Sequence, residues 1–390
     1  MRSDRGHVPV EGWRRPAWAE VDLDALAHNV ALLCRVVAPA SLCAVVKADG
    51  YGHGATSVAR TLLEAGASSL GVALVDEGIE LRDDGIESEI LLLAEAPETS
   101  LRDAIDARLT LTVGSLRGAR ELARAAEHLP TVPVHVKVDT GMHRQGVSPG
   151  DLAAVLGLLA AARLDLGGVW THLPVADGAD ATSDAFTRGQ LDTFRDAVGA
   201  VSDAIPHGAV LHAANTAGAL WFPEARLDLV RVGLGVYGYL PHPGMQSVLD
   251  DAGEGALRPV MSVKARVSAI RDLPAGARPS YGRRRELGRP SRVATVPVGY
   301  ADGYPRAMLD GGAQVLIRGA RRPLAGVVTM DQLLVDCGDD TDVDVGDEVV
   351  LLGAQGAERI SADDWATALG TISWEVLCGI KQRIPKLVVT

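Results

Sequence analysis

No stretch of this 390-residue chain stays apolar for long enough to cross a membrane. The first sixteen residues are polar and lack the apolar core of a secretory signal, so residues 1–15 are expected to form a loose leader. A basic excess is also missing: 38 Lys+Arg stand against 50 Asp+Glu, for a net charge of −12. That balance argues against general affinity for nucleic acid or an anionic membrane surface. An anionic ligand would need local donors. Cysteine is scarce, and Cys34, Cys43, Cys337 and Cys378 show no metal-ligand spacing. They read as reduced thiols of a cytoplasmic protein, with no metal site expected. Low-complexity linkers and internal repeats are absent.

What is present is a large apolar fraction, 47%, in a chain long enough for two domains. A short extended segment (residues 16–21) precedes a helix capped at Asp22, with Leu26, Val30, Leu33 and Val37 on one face. Eight apolar runs then follow, at 42–46, 69–74, 89–93, 109–113, 132–138, 164–171, 210–214 and 227–232, separated by stretches of helical period. Runs of near-continuous apolar character suit strands buried on both faces of a parallel sheet. Eight strand–helix units predict an α/β fold, a (β/α)₈ TIM barrel over residues 25–252, with a doubly wound sheet as the rival. From residue 253 to 390 β-rich runs and Gly/Pro turns predict a mostly β C-terminal domain. The strand in 16–24 is expected to join that domain, and 244–255 is the expected junction.

Chemistry in such a barrel sits at the C-terminal ends of its strands. Lys47 follows the first run, Asp139 and Arg144 the fifth, and His172 the sixth. Asn215 and Thr216 follow the seventh, and the eighth ends in Arg231 with Gly233 after it. Taken singly, each has a plain structural role available: a surface lysine, a satisfied histidine, a helix cap, an ion pair with Asp228. Their convergence on one rim is what assembles a site for an anionic ligand. Within residues 44–54, AVVKADGYGHG, a lysine ends a buried strand and a glycine-rich turn opens a helix near Ala55. Desolvation and neighbouring cations can lower the pKa of such an amine and favour reaction with an aldehyde cofactor.

That string resembles the alanine racemases closely. Matching strings follow in order: KVDTGMHRQG at 137–146, TH at 171–172, HAANT at 212–216, VRVG at 230–233, SYG at 280–282, GYADG at 299–303 and TMDQ at 329–332. The resemblance spans residues 16 to 385. It implies pyridoxal 5'-phosphate as cofactor and an alanine-like amino acid as substrate, interconverted between its L and D forms by two-base proton exchange at Cα. It further implies that Lys47 bonds the cofactor and serves one face of the substrate, while Tyr281 serves the other from a second protomer. A phenol is a weak base near neutrality, and His172 and Arg231 match the family's polar relay. Arg231 also matches the partner of the pyridine nitrogen. Tyr51, Asn215, Thr216, Gly233, Leu234 and Tyr237 match the cofactor-binding set, with phosphate held by side-chain hydroxyls and backbone donors. Arg144, Met330, Asp331, Tyr300 and Lys137 match the substrate side, and the Lys137 position is carbamylated in some members. A head-to-tail homodimer with shared active sites is implied.

Two departures stand out. Gln382 occupies the position where many members carry a C-terminal tyrosine, and Arg283, Arg284 and Arg285 follow Tyr281-Gly282 in place of small residues. The arginine run motivates an alternative, the same chemistry on another amino acid. A non-catalytic pyridoxal-phosphate binder is a further alternative, against which Tyr281, Met330 and Asp331 argue.

Overall fold

The computed structural model describes residues 14–129 and 131–390. All but residues 14 and 15 of the expected leader lie outside those described. Two compact units emerge, one of Leu23–Val260 and one that joins the N-terminal strand to Met261–Thr390.

Strand β1 (Ala17–Asp22) opens the described chain and belongs to the second unit. The barrel strands follow as β2 (Ser41–Val45), β3 (Ser69–Val72), β4 (Ile90–Leu92), β5 (Leu111–Val113), β6 (Pro133–Lys137), β7 (Asp165–Trp170), β8 (Val210–His212) and β9 (Leu229–Val232). They are all parallel, in two hydrogen-bonded runs, β4-β3-β2-β9 and β5-β6-β7-β8. A parallel bridge between Leu91 and Thr110 joins one pair of run ends. Backbone bonds from Asp228 to Leu211 and from Arg231 to Ala214 join the other, so the sheet closes on itself. Closure decides for the barrel over the open doubly wound sheet. Strands β3, β4, β5 and β9 are buried at every residue, which is why their runs read as uninterrupted apolar sequence.

The predicted strand positions hold to within two or three residues at each end, because pairing stops where strand ends turn out to the rim. The first helix, Leu23–Val37, buries Leu26, Val30, Leu33 and Val37 as its spacing predicts. The tract 244–255 is not an extended linker. It carries a short helix, Gln246–Asp251, inside the first unit, and the two units part after Val260.

In the second unit the remaining strands are β10 (Met261–Arg266), β11 (Ala269–Leu273), β12 (Ser291–Val296), β13 (Gln314–Ile317), β14 (Ala320–Pro323), β15 (Leu333–Asp336), β16 (Glu348–Gln355), β17 (Glu358–Ile360) and β18 (Lys386–Val389). One sheet runs β14-β13-β16-β10-β1-β18 with β17 on β16, and a second runs β11-β12-β15. All pairs are antiparallel except β1 with β18. The run at 257–270 therefore serves two sheets, dividing between β10 and β11. Strand β14 escapes sequence reading because Ala-Arg-Arg-Pro has no apolar alternation, and tertiary pairing with β13 overrides its weak propensity. The helix Ala362–Leu369 begins at a Ser361/Asp364 capping box and ends at left-handed Gly370. Among the described residues no helix is long and apolar enough to cross a membrane.

Candidate active site

The turn after β2 is the most unusual backbone in the barrel. Ala48, Asp49 and Gly50 have φ/ψ of 53/51°, 54/48° and 62/43°, and Tyr51 follows at φ 53°. This is one turn of left-handed helix, closed by bonds from Gly50 to Val46 and from Gly52 to Ala48. Left-handed residues with a Cβ cost roughly 1–2 kcal/mol each, so the surroundings must hold the turn in place. Glu77 supplies much of that hold: its Oε1 accepts the Ala48 N–H at 2.7 Å, and its Oε2 accepts those of Ala73 and Leu74 at 2.8 and 3.0 Å. The Asp49 carboxylate accepts the first N–H of the helix Ala55–Glu64. The turn leaves Lys47 half-buried on the rim and folds Tyr51 back into the barrel.

Tyr51 stacks on Tyr237 with ring centroids 5.0 Å apart, and His53 stacks on the same ring at 4.4 Å. The Tyr237 hydroxyl donates to the Val45 carbonyl at 3.1 Å. A Cβ added to Gly233 would lie 2.4 Å from the Tyr51 hydroxyl oxygen, so only glycine lets that phenol reach the turn after β9. Thr216 is buried nearby, its hydroxyl 3.5 Å from the Gly235 N–H. Two hydroxyls and the backbone of a tight turn thus meet in one small cradle, a donor set suited to a phosphate. Asn215 has a different task. Its Oδ1 accepts the Gly218 N–H and its Nδ2 donates to the Leu173 carbonyl, so it caps the helix Thr216–Trp221 and positions Thr216.

Arg231 lies deeper, 3% exposed. It donates to His212 Nδ1 at 2.9 Å, to the Thr171 and Ala213 carbonyls at 2.8 and 3.0 Å, and to His172 Nδ1 at 3.3 Å. None of these partners is a carboxylate. Burial pulls its pKa down to about 10, still high enough to keep the charge at neutral pH. The guanidinium sits 4.4 Å over the Trp170 ring, and the Lys137 ammonium lies 4.5 Å from the same centroid. Burial, then the Arg144 and Arg231 charges, lowers Lys137 to about 8. His172 is driven well below its ordinary value by burial and by Arg231, Lys137, Arg144 and Lys47, and is neutral at pH 7.

Arg144 rides on an exposed loop. Asp139 orders it by accepting the Gly141 and His143 N–H groups at 3.0 Å each, and the Asp139 and Val147 backbones close its base. Thr140 and Thr171 share a 2.7 Å hydrogen bond beneath it. Lys47, Lys137, Arg144, Arg231 and neutral His172 therefore gather at one rim of a chain whose net charge is −12. This is the local donor set that the overall charge does not supply.

In the second unit, Tyr281 is 69% exposed in a loop held from below by the Ser280 hydroxyl on the Val327 carbonyl, at 2.6 Å. Tyr300 and Met330 are also exposed, and the backbone N–H groups of Tyr300 and Ala301 pair with the carbonyls of Thr329 and Met330. Asp331 pairs with Arg383 at 2.7 Å, which ties the Gln382 stretch to the same loops. Two of the three arginines of the run are engaged within their own unit: Arg284 pairs with Asp310, and Arg285 with Asp336 and the Leu324 carbonyl. Those pairings favour a structural role for Arg284 and Arg285 over a change of substrate.

Sequence reasoning passed over Glu77, His135, Trp170 and His212 as site residues. Their signal was weak, because a glutamate on a helix and aromatic residues inside strands look like ordinary surface and core. Lysine count was a usable signal. Only two lysines fall between residues 23 and 260, and both are at the rim.

Residues 21–241 match the description of the alanine racemase N-terminal domain, and residues 260–388 that of the C-terminal domain. The chain is 43% identical to an alanine racemase of a Nostoc species, covering 95% of both chains, and 42% identical to that of Thermobifida fusca, covering 95% of this chain and 97% of the relative. Among solved structures, the alanine racemase of Streptomyces lavendulae, a D-cycloserine producer, superposes with a TM-score of 0.88 at 36% identity over 96% of this chain and 97% of that one. That of Bacillus anthracis, solved with bound L-Ala-P, gives 0.89 at 33% identity over 97% and 96%.

Proposed function

The chain belongs to the alanine racemase family, and from that membership and the rim geometry we propose that it interconverts L- and D-alanine with pyridoxal 5'-phosphate. The observation that carries this reading is the pairing of a lysine at a strained turn with a buried arginine that has only neutral partners, beside a hydroxyl-lined cradle. When bound, the cofactor supplies the electron sink that acidifies the substrate Cα–H. Tyr51, Thr216 and the backbone around Gly233 and Leu234 would hold its phosphate, with Tyr237 buttressing Tyr51 and Asn215 fixing Thr216. Lys47 would anchor its aldehyde carbon.

Arg231 would face the ring nitrogen as a donor that keeps its own proton, since its pKa of about 10 leaves it charged at working pH. It would therefore withhold the full positive charge that an acid would place on the ring. That choice favours prompt return of the proton to Cα. Lys47 takes or returns the proton on one face, and Tyr281 does so on the other. His172, neutral and bonded to Arg231, serves as the phenol's polar relay. Arg144 binds the substrate carboxylate, aided by the Met330 backbone, with Asp331 and Tyr300 shaping the approach. Lys137, with a pKa near 8, has enough free amine near neutrality to add carbon dioxide with release of a proton, and the resulting anionic carbamate would orient Arg144.

Tyr281, Tyr300 and Met330 form an exposed face on neighbouring loops, which fits a site completed by a second copy of the chain in a head-to-tail homodimer. The net acidity and the reduced cysteines suit an enzyme of the cytoplasm. The direct test is to load the purified protein with pyridoxal phosphate, record its visible absorbance, and follow the optical rotation of L-alanine. Rotation should decay to zero. Colourless protein that leaves L-alanine unchanged overturns the reading. Turnover of serine and larger amino acids, measured alongside, decides substrate range.

A further inference from the structure

His135 lies two residues before Lys137 on β6, so both side chains point into the barrel. Its imidazole is 3% exposed, and its Nδ1 is 3.0 Å from His212 Nε2. Its other nitrogen faces Glu89, at 3.8 Å from Oε1. The barrel is shaped around this ring. The β6–β7 register slips between Val134 and His135, which pair with Leu166 and Gly168 and leave Gly167 as the extra residue. A Cβ on Gly168 would lie 2.9 Å from His135 Cε1 and 3.0 Å from its Nδ1, and one on Gly167 would lie 3.1 Å from its Nε2. Paired glycines weaken a strand, and bulges of this kind re-aim side chains beside active sites.

The protons along this chain can be counted. Arg231 only donates, so His212 Nδ1, 2.9 Å from its Nη1, must be a bare acceptor. A neutral His212 then carries its proton on Nε2 and donates it to His135 Nδ1. His135 in turn carries its proton on Nε2, toward Glu89. Burial and the charge of Arg231 hold His212 well below its ordinary value and His135 down to about 4, so both rings are neutral at pH 7. We propose that His135 is a positioning residue of the proton-exchange reaction, locking His212 in its Nε2–H form so that Arg231 keeps an acceptor there and aims its remaining donors at His172 and the cofactor ring. With the proton on Nδ1 instead, His212 would set a donor against the guanidinium in a dry site, and Arg231 would turn toward another acceptor. The effect on turnover rests on the racemase reading. The order of protons does not, because it is a property of the chain with or without cofactor.

The test is ¹⁵N NMR of the full-length, histidine-labelled protein with and without pyridoxal phosphate, with the His212 signal assigned by its loss in His212→Asn. Alanine turnover is measured in parallel for wild type, His135→Leu and His135→Asn. Asparagine keeps an acceptor where Nδ1 stood, and leucine removes it. The wild type should show a bare Nδ1 and a protonated Nε2 on His212. His135→Leu should show mixed forms and lose about tenfold in kcat with little change in KM, and His135→Asn should restore both. A wild-type His212 protonated on Nδ1, or on both nitrogens, overturns the proposal without any variant. Equal losses in the leucine and asparagine variants overturn it too, since only packing would then be at stake. The expected wild-type signal in a protein that racemises nothing would leave the proton order standing and remove the racemase reading.

Discussion

Arg231 is 3% exposed and makes four hydrogen bonds, whereas Tyr281 is 69% exposed at the tip of a loop. Both are assigned to the same reaction. The barrel rim holds its groups by burial: Trp170 sits against two cations, Glu77 clamps a left-handed turn, and histidines fill the interior. The β-rich unit holds the backbone of its loops firmly but leaves Tyr281, Tyr300 and Met330 uncovered. A group that must keep an unusual charge state needs a dry, crowded site. A group proposed to act on a second chain's site has to lie at the surface, as Tyr281 does.

The largest effect expected is at the rim. Lys47→Ala should leave the fold intact, abolish the cofactor's bound visible absorbance and lower exchange by at least about 10²-fold, read by optical rotation. Tyr281→Phe should keep the absorbance of bound cofactor yet lose roughly 10²–10⁴-fold in turnover, with proton exchange from solvent impaired unevenly for the L and D enantiomers. Equal, wild-type rates in both directions would remove Tyr281 from the two-base scheme. Mixing these two inactive chains sharpens the contrast. If the sites are shared, statistical pairing restores roughly a quarter of them, each built from an intact Lys47 of one chain and an intact Tyr281 of the other. No recovery after subunit exchange would mean that each chain completes its own site.

Smaller effects probe how the rim is held. Glu77→Gln leaves one acceptor oxygen where the carboxylate used one for Ala48 and one for Ala73 and Leu74, and should weaken cofactor affinity by roughly tenfold, measured by titration of the cofactor-free protein. Lys137 tests the cost of burial. Its folded pKa of about 8 lies below the unfolded value of 10.5, so the unfolded chain binds more protons between those values. Its burial therefore costs stability in full below pH 8, and that cost fades as pH rises toward 10.5. In buffer stripped of carbon dioxide, Lys137→Met should melt higher than wild type at pH 7, by up to about 3 kcal/mol in stability, and converge with it at high pH. A variant that melts lower at pH 7 would contradict the assigned cost.

Much of this contrast was legible before any coordinates. Polar residues at the ends of four of the eight apolar runs located Lys47, Asp139, His172 and Thr216, because a parallel strand buried on both faces turns polar where it leaves the core, and Arg231 stood out as a charge within the last run. The glycines of residues 50–54 announced a turn, whereas the left-handed conformation of Ala48, Asp49 and Tyr51 beside them could not be read from residue type. Less legible was Asn215, which sits among the cofactor residues by sequence and spends its side chain on a cap and on Leu173. The arginines after Tyr281 suggested altered specificity, and their carboxylate partners 26 and 51 residues away could not be read from spacing.

Local order was thus set by sequence alone: the period of the helices, the buried strands, the presence of a glycine-rich turn and the scarcity of lysine, which leaves only Lys47 and Lys137 in the barrel unit. Tertiary structure decided the rest. Closure of the sheet through Leu91–Thr110 and Arg231–Ala214 made one rim out of residues nearly two hundred positions apart. It also stacked His135, His212 and Arg231 in a dry interior. Charge state and proton order depend on burial and on neighbours brought in from distant strands, and neither is a property of a residue's place along the chain.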